Sequence, residues 1–232
     1  MKGAAQIVEF LFEAGELKRV KRSGWWTAKI RDPESVAEHS FRTGLTAYLL
    51  AMMEGEDDAG AARTAVAALA HDLHEARTLD LHKISARYFD KHAGEGRARK
   101  QQGFESALRL TARQQAIVKD ADLLEMAMQA KEYSDAGNAH APRWLKAAGK
   151  GVRTAGGRRL FREISRTDSA GWWKRKGRRA DVAGTARGLA PARAKEAGKA
   201  VRRPKTARGG RKGGLPYNYW RWGRFSAKKP RG

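Results

Sequence analysis

Three short stretches hold the residue types whose spacing suits metal chemistry. In DPESVAEHS, residues 32–40, His39 stands among small residues just before the apolar run FRTGLTAYLLAMM. In AALAHDLHEARTLD, residues 67–80, His71 and Asp72 are adjacent and Glu75 follows one turn later. Positions i and i+4 share a helix face, so His71 and Glu75 are expected to look into one cavity, with Asp72 turned about 100° away. In VKDADLLEMA, residues 118–127, Asp120 and Asp122 begin an otherwise apolar run. A helix N-terminus with its free N–H groups explains one of these carboxylates. Asp122, between Ala121 and Leu123, is a costly buried charge unless it has a partner. His39, His71, Asp72 and Asp122 together offer two imidazoles and two carboxylates, a set suited to Zn²⁺, Mn²⁺, Co²⁺ or Fe²⁺ with room for water. Taken singly, each has a plainer explanation as a core histidine or a frayed helix end. Spacing alone does not show that separate helices converge.

The elements that must carry these residues are helical. Ile7, Phe10 and Leu11 predict a first helix over residues 3–13, followed by the basic link AGELKRVKRSGWW. Asp32 as N-cap and Pro33 at the first helical position predict a second helix running to about Met53. A third, alanine-rich helix is expected over residues 61–75, and a loop over 76–100 with a short helix around KISARYF. One or two helices fall in 102–134, and further ones at 140–149, 153–165 and 167–174. Trp25 and Trp26 are expected in the core, and Trp172 and Trp173 are expected to bury the last helix against the rest. No alternating pattern appears before Trp173, so the fold class is all-α, a helical bundle.

Composition narrows the chemistry. With no cysteine among 232 residues, thiolate metal sites, disulfides and cysteine nucleophiles are excluded. No stretch approaches 18 consecutive apolar residues and no signal-peptide pattern opens the chain, so a soluble, cytoplasmic protein with no membrane contact is expected. Of the net charge of +23, residues 177–232 carry +15, with 17 Lys or Arg against Asp181 and Glu196. This predicts a helical domain over 1–176 and a basic, disordered tail over 177–232, apart from a possible short helix at 190–200. Cations and the aromatic cluster YNYWRW, residues 217–222, suit RNA or DNA association through the tail, although no base-reading motif is present. The competing reading is a solvated basic extension.

The motifs in order resemble the HD-domain metal-dependent phosphohydrolases. They are EHS at 38–40, HD at 71–72 followed by Glu75, and Asp122 in KDAD. LKRVKRSGWW before RDPESVAEHS, then VKDADLLEMAMQAKEY and the late WW, are similar more narrowly to the HD domain-containing 5'-deoxynucleotidase family. The likeness spans residues 5–176 and omits the tail. It implies an all-helical, generally dimeric enzyme that removes phosphate from deoxyribonucleoside 5'-monophosphates with one divalent transition metal (Mn, Co, Zn or Fe). Carried over, the metal ligands are His39, His71, Asp72 and Asp122, and the catalytic carboxylates are Glu75 and Asp80. Arg22 is the phosphate contact. Glu75 would orient or deprotonate the attacking water, and Asp80 would assist proton transfer or hold the sugar 3'-hydroxyl. The chain departs from the pattern at Leu79, where the family has glycine, and in lacking the proline soon after it.

Overall fold

A computed structural model of the chain describes residues 3–104, 108–174 and 181–191. Ten α-helices occur among them: α1 Ala4–Gly15, α2 Val36–Met53, α3 Asp58–Leu69, α4 Glu75–Thr78, α5 Lys91–Gln102, α6 Ala112–Asp135, α7 Pro142–Gly151, α8 Ala155–Arg166, α9 Gly171–Lys174 and α10 Val182–Gly188. No strand occurs among the described residues, in agreement with the all-α expectation. No helix there is long and apolar enough to cross a membrane.

The central helix is α6. Ile117, Ala121, Leu124, Ala127 and Ala130 recur at helical spacing and are fully buried. This stripe meets α2 through Ala47 and Leu50, and meets α3 through Ala61 and Ala68. Small alanines let the backbones approach, which brings polar residues on the same helices within reach of each other.

α2 begins later than expected. Ser35, not Asp32, is its N-cap: the Ser35 hydroxyl accepts the Glu38 N–H at 3.2 Å, and the Glu38 carboxylate accepts the Ser35 N–H. This is the reciprocal Ser-x-x-Glu cap, present in the sequence as SVAE. Asp32 instead pairs with Lys21 at 2.6 Å. Two backbone bonds, Arg22 N–H to Glu34 O at 2.9 Å and Val36 N–H to Val20 O at 2.8 Å, lay residues 20–22 alongside 34–36. That pairing fixes Arg22 beside the start of α2.

α3 ends early as well. Leu69 is its last residue, and residues 70–74 form tight turns before the short α4. His71 and Glu75 therefore do not share one continuous helix face. The expected loop over 76–100 contains a full helix, α5, whose polar composition gave no apolar stripe to read. Asp120 and Asp122 lie well inside α6 rather than at its start. Asp120 is 1 % exposed and serves another helix: it accepts N–H bonds from Arg153 and Thr154 and the Thr154 hydroxyl at the start of α8. A Cβ on Gly157 would come within 2.7 Å of that carboxylate, so only glycine fits there.

Trp25 is buried as expected, edge-on to Tyr133 with ring centroids 5.1 Å apart, whereas Trp26 is half-exposed. Trp172 and Trp173 do not bury their helix: they are 79 % and 64 % exposed, on a helix of only four residues. Of the segment 177–232, residues 181–191 are described. They form α10, whose Ala186 is buried in the main core cluster and whose Arg187 pairs with Asp58. The expected helix at 190–200 lies almost wholly outside the described residues. The YNYWRW cluster and the rest of the basic tail lie entirely outside them.

Leu79 adopts φ 61° and ψ 162°, backbone that L-residues rarely hold. The leucine keeps the positive φ that glycine would adopt freely, and its side chain is 59 % exposed. Relief of about 1–3 kcal/mol of strain outweighs about 0.4–1 kcal/mol of added chain entropy. Leu79→Gly is thus expected to raise the unfolding free energy by about 1 kcal/mol, read from urea melts.

Candidate metal centre and active site

His39 comes from the first turns of α2, His71 and Asp72 from the turn after α3, and Asp122 from the middle of α6. The three elements converge. His39 Nε2 lies 3.2 Å from Asp122 Oδ1, 3.4 Å from His71 Nε2 and 3.8 Å from Asp72 Oδ2. His71 Nε2 lies 3.1 Å from Asp72 Oδ2 and 3.8 Å from Asp122 Oδ1. His39, His71 and Asp72 form one group with donor atoms within 4.8 Å of one another, and Asp122 joins it through the two histidines.

The far side of each ring is held by an acceptor. His39 Nδ1 is 2.5 Å from the Glu125 carboxylate, and His71 Nδ1 is 2.7 Å from the Ala68 carbonyl. Both acceptors hold the proton on Nδ1, which turns a lone pair of each Nε2 toward the shared centre. Two imidazole nitrogens 3.4 Å apart, faced by two carboxylates, match the spacing of ligands about 2.0–2.2 Å from one first-row cation. The donors fit a divalent transition metal.

The electrostatics favour positive charge at this centre, carried by the imidazoles themselves unless a metal cation takes the place of their Nε2 protons. Burial and Arg22 disfavour charge on His39, yet the hydrogen bonds to Asp122 and Glu125 win and push it up to about 9. Burial also opposes the charge on Asp72 and Asp122. The neighbouring imidazoles outweigh burial and hold both carboxyls well below their usual range.

Three further sequence-predicted residues border the donors. Arg22 Nη1 donates to Asp72 Oδ2 at 3.1 Å and lies 3.9 Å from Asp80, while Nη2 is 3.9 Å from Asp122. Asp80 is held by the Ser23 N–H at 3.0 Å, and its own carbonyl accepts the Ser23 hydroxyl at 2.6 Å. Glu75 is 3 % exposed, and its Oε2 has no hydrogen-bond partner. Burial, then the charges of Asp72 and Asp80, push its carboxyl up to about 8. A buried carboxylate with a free oxygen beside a cation site suits proton transfer near neutral pH.

Glu125 and Arg42 escaped the sequence reading. Glu125 is fully buried, and its Oε1 accepts from Arg42 Nε at 3.1 Å and Nη2 at 2.8 Å. Arg42 also bonds Glu132 and Gln129. The available signal was Glu125 three residues after Asp122, on the same face of an apolar helix. His74 is buried, with Nε2 3.5 Å from Glu95. His92, His140 and Lys119 are exposed.

Glu34, just before α2, accepts the Trp25 indole N–H at 2.9 Å. Burial and the nearby Glu125 charge push it up to about 7. Because the folded value lies above the unfolded one near 4.5, the favourable contribution is complete below about pH 4.5 and is lost as pH rises through 7. Glu34→Gln is therefore expected to stabilise the protein by roughly 2 kcal/mol more at pH 8 than at pH 5.5. Melting temperatures at the two pH values check this; an equal effect at both rejects it.

The HD domain family profile matches residues 14–109. The chain is similar to 5'-deoxynucleotidase HDDC2 of Homo sapiens, 30% identical over 148 residues, covering 57% of this chain and 71% of that protein. The Bos taurus protein of the same name is 29% identical over 152 residues, covering 59% and 72%. Among solved structures, a structural-genomics crystal structure is 39% identical with a TM-score of 0.66, covering 73% of this chain and 99% of that one. A predicted coding region from Archaeoglobus fulgidus is 33% identical with a TM-score of 0.55, with the same coverage. The chain belongs to the HD-domain family, and it is a metal-dependent phosphohydrolase.

Proposed function

We propose that the protein is a 5'-deoxynucleotidase, releasing inorganic phosphate from deoxyribonucleoside 5'-monophosphates. The observation that carries this reading is the meeting of four metal donors with a guanidinium and two further carboxylates in one site. The curated relatives named 5'-deoxynucleotidase support the choice of substrate class.

His39, His71, Asp72 and Asp122 hold one divalent transition metal, which supplies Lewis acidity to water and to a phosphoryl oxygen. Arg22 binds non-bridging phosphate oxygens through its planar fork. Its ties to Asp72 and to the backbone pairing at residues 20–22 set its direction before substrate arrives. Glu75 accepts the proton of the attacking water. Asp80, held by Ser23, faces the leaving side and holds a sugar hydroxyl or passes a proton to the departing 5'-oxygen. The P–O bond to that oxygen breaks, leaving a nucleoside and phosphate. A homodimer belongs to the same proposal; exposed Phe41 and Leu45 of α2 and Leu69 of α3 offer an apolar face for it.

Phosphate release across a panel of deoxy- and ribonucleoside 5'-monophosphates, with Mn²⁺, Co²⁺ or Zn²⁺ supplied, tests the reading. Turnover of deoxynucleotides that disappears in Asp72→Ala is the expected result. No release from any nucleotide by metal-loaded protein rejects it.

A further inference from the structure

We propose that the outer surface of α7 and α8, with the two tryptophans that follow it, binds single-stranded nucleic acid. The surface is independent of the nucleotidase reading, since none of its residues is a metal donor, Arg22, Glu75 or Asp80. Residues 142–166 hold eight Lys or Arg against Glu163 alone. All eight are exposed, and among the described residues none of them pairs with a carboxylate. Arg158 and Arg159 reach backbone carbonyls instead, those of Arg153 and Leu189. Unneutralised cations at this density make a field that attracts a polyanion.

The fold turns these cations outward and holds them there. Both helices spend their apolar faces on the core: Trp144 and Leu145 pack with Trp25, while Leu160, Phe161 and Ile164 pack on the cluster around Leu50 and Leu124. α7 and α8 approach so closely that a Cβ on Gly149 would overlap the Phe161 ring. Lys146 and Lys150 lie about 60° and 100° round α7 from Gly149, on the side away from the core. Arg158 and Arg162 lie about 60° and 100° round α8 from Phe161, again on the outer side. The two basic rows therefore border one seam. Buried Asp120 fixes the turn between them by accepting the Arg153 and Thr154 N–H groups.

Trp172 and Trp173 select the kind of polyanion. Trp172 lines a cavity of about 350 Å³ with Ile164 and Thr167, which places its ring at the end of α8 that carries Arg166. Lys174 stands 5.8 Å from the centre of the Trp173 ring and neutralises Asp168 at 2.8 Å. Cations that track a phosphate backbone, joined to exposed flat rings that take unstacked bases, are the combination that holds single strands. A duplex keeps its bases stacked and offers the rings nothing. A membrane surface needs apolar area to insert, and between residues 142 and 174 these two tryptophans are the only large apolar side chains exposed.

Fluorescence anisotropy of the full chain with a labelled oligothymidylate of about 20 nucleotides tests the surface. Wild type is expected to bind, with log K falling linearly against log salt. The fourfold variant Lys146→Gln, Lys150→Gln, Arg158→Gln, Arg162→Gln should bind about tenfold more weakly or worse. It should also flatten the salt slope by about 3, at about 0.7 per cation on a single strand. A control with four tail cations replaced, Arg202→Gln, Arg203→Gln, Lys205→Gln and Arg208→Gln, should weaken binding less. Trp172→Ala with Trp173→Ala should weaken binding about tenfold while keeping the slope. Thermal melts check each fold; if the fourfold variant melts early, its α7 pair and α8 pair are read separately, each flattening the slope by about 1.4. The proposal is overturned by no binding in wild type, by a fourfold variant that binds no more weakly than the tail control, or by unchanged affinity in the tryptophan variant. Competition by a duplex of the same length as effective as by the single strand also overturns it. Capture by phosphatidylcholine vesicles with about 30% phosphatidylserine, lost in the tryptophan variant while oligothymidylate binding is kept, overturns it in favour of a membrane surface.

Discussion

Replacing Glu75 with glutamine is expected to lower kcat by about 10²–10⁴ while leaving the fold and the bound metal in place. Glutamine matches glutamate in size, so the 3 % exposed site keeps its packing. What disappears is the capacity to take a proton. Glu75 stands outside the four donors, so metal stoichiometry, measured on the purified variant, should match wild type. Thermal stability at pH 8 should not fall, because the carboxylate being removed is disfavoured in its charged form by burial and by Asp72 and Asp80. Activity retained within a few-fold would reject Glu75 as proton acceptor and move the role to Asp80. Loss of activity together with loss of metal would instead place Glu75 among the ligands.

The second large effect is expected at Glu125, which stands behind His39. Glu125→Ala removes the acceptor for His39 Nδ1 and the partner of Arg42 in one step. A buried pair broken on one side costs about 3–5 kcal/mol, and loss of the carboxylate behind a metal-bound imidazole lowers metal affinity about 10–100-fold. Glu125→Gln keeps an acceptor oxygen for the ring but removes the charge, so it should fold better and still bind metal less tightly. Urea unfolding separates the first effect, and competition with a chelator separates the second. If both variants hold metal as tightly as wild type, the ring of His39 is oriented by something other than Glu125.

The two residues illustrate how unevenly the site could be read. His39, His71, Asp72 and Asp122 stood out because polar residues interrupt apolar helical runs, and a run of that kind is a local property of the chain. Glu75 stood one turn after His71, while its catalytic role and Asp80 came only from the family resemblance; both lie beside the donors. Glu125 has the same local signature as Asp122, three residues away, yet it drew no notice. Its partner His39 is 86 residues distant in sequence and becomes adjacent only when α2 packs on α6.

Helix boundaries show the same division. The cap of α2 was written locally as SVAE, although Asp32 and Pro33 offered a rival start; the rival lost because Lys21 engages Asp32 and the Pro33 carbonyl. The end of α3 was not written in this way. AALAHDLHEA continues a good helical composition through Glu75, but the chain turns after Leu69, and the turn brings Asp72 beside both His39 and Arg22. Leu79 followed a similar course: the sequence marked a missing glycine, and the fold imposes the positive φ on leucine regardless.

By itself, then, the sequence determined the helical class, the absence of thiolate chemistry, the donor types and the basic excess toward the C-terminus. These depend on composition and on periodicities a few residues long. Tertiary structure decided which carboxylate meets the two histidines and which caps a helix, as Asp122 and Asp120 divide those places two residues apart on α6. It also decided which nitrogen of each histidine faces the other donors. Both outcomes depend on what lies across a packed interface, where the cost of leaving a buried polar group unpaired selects one arrangement.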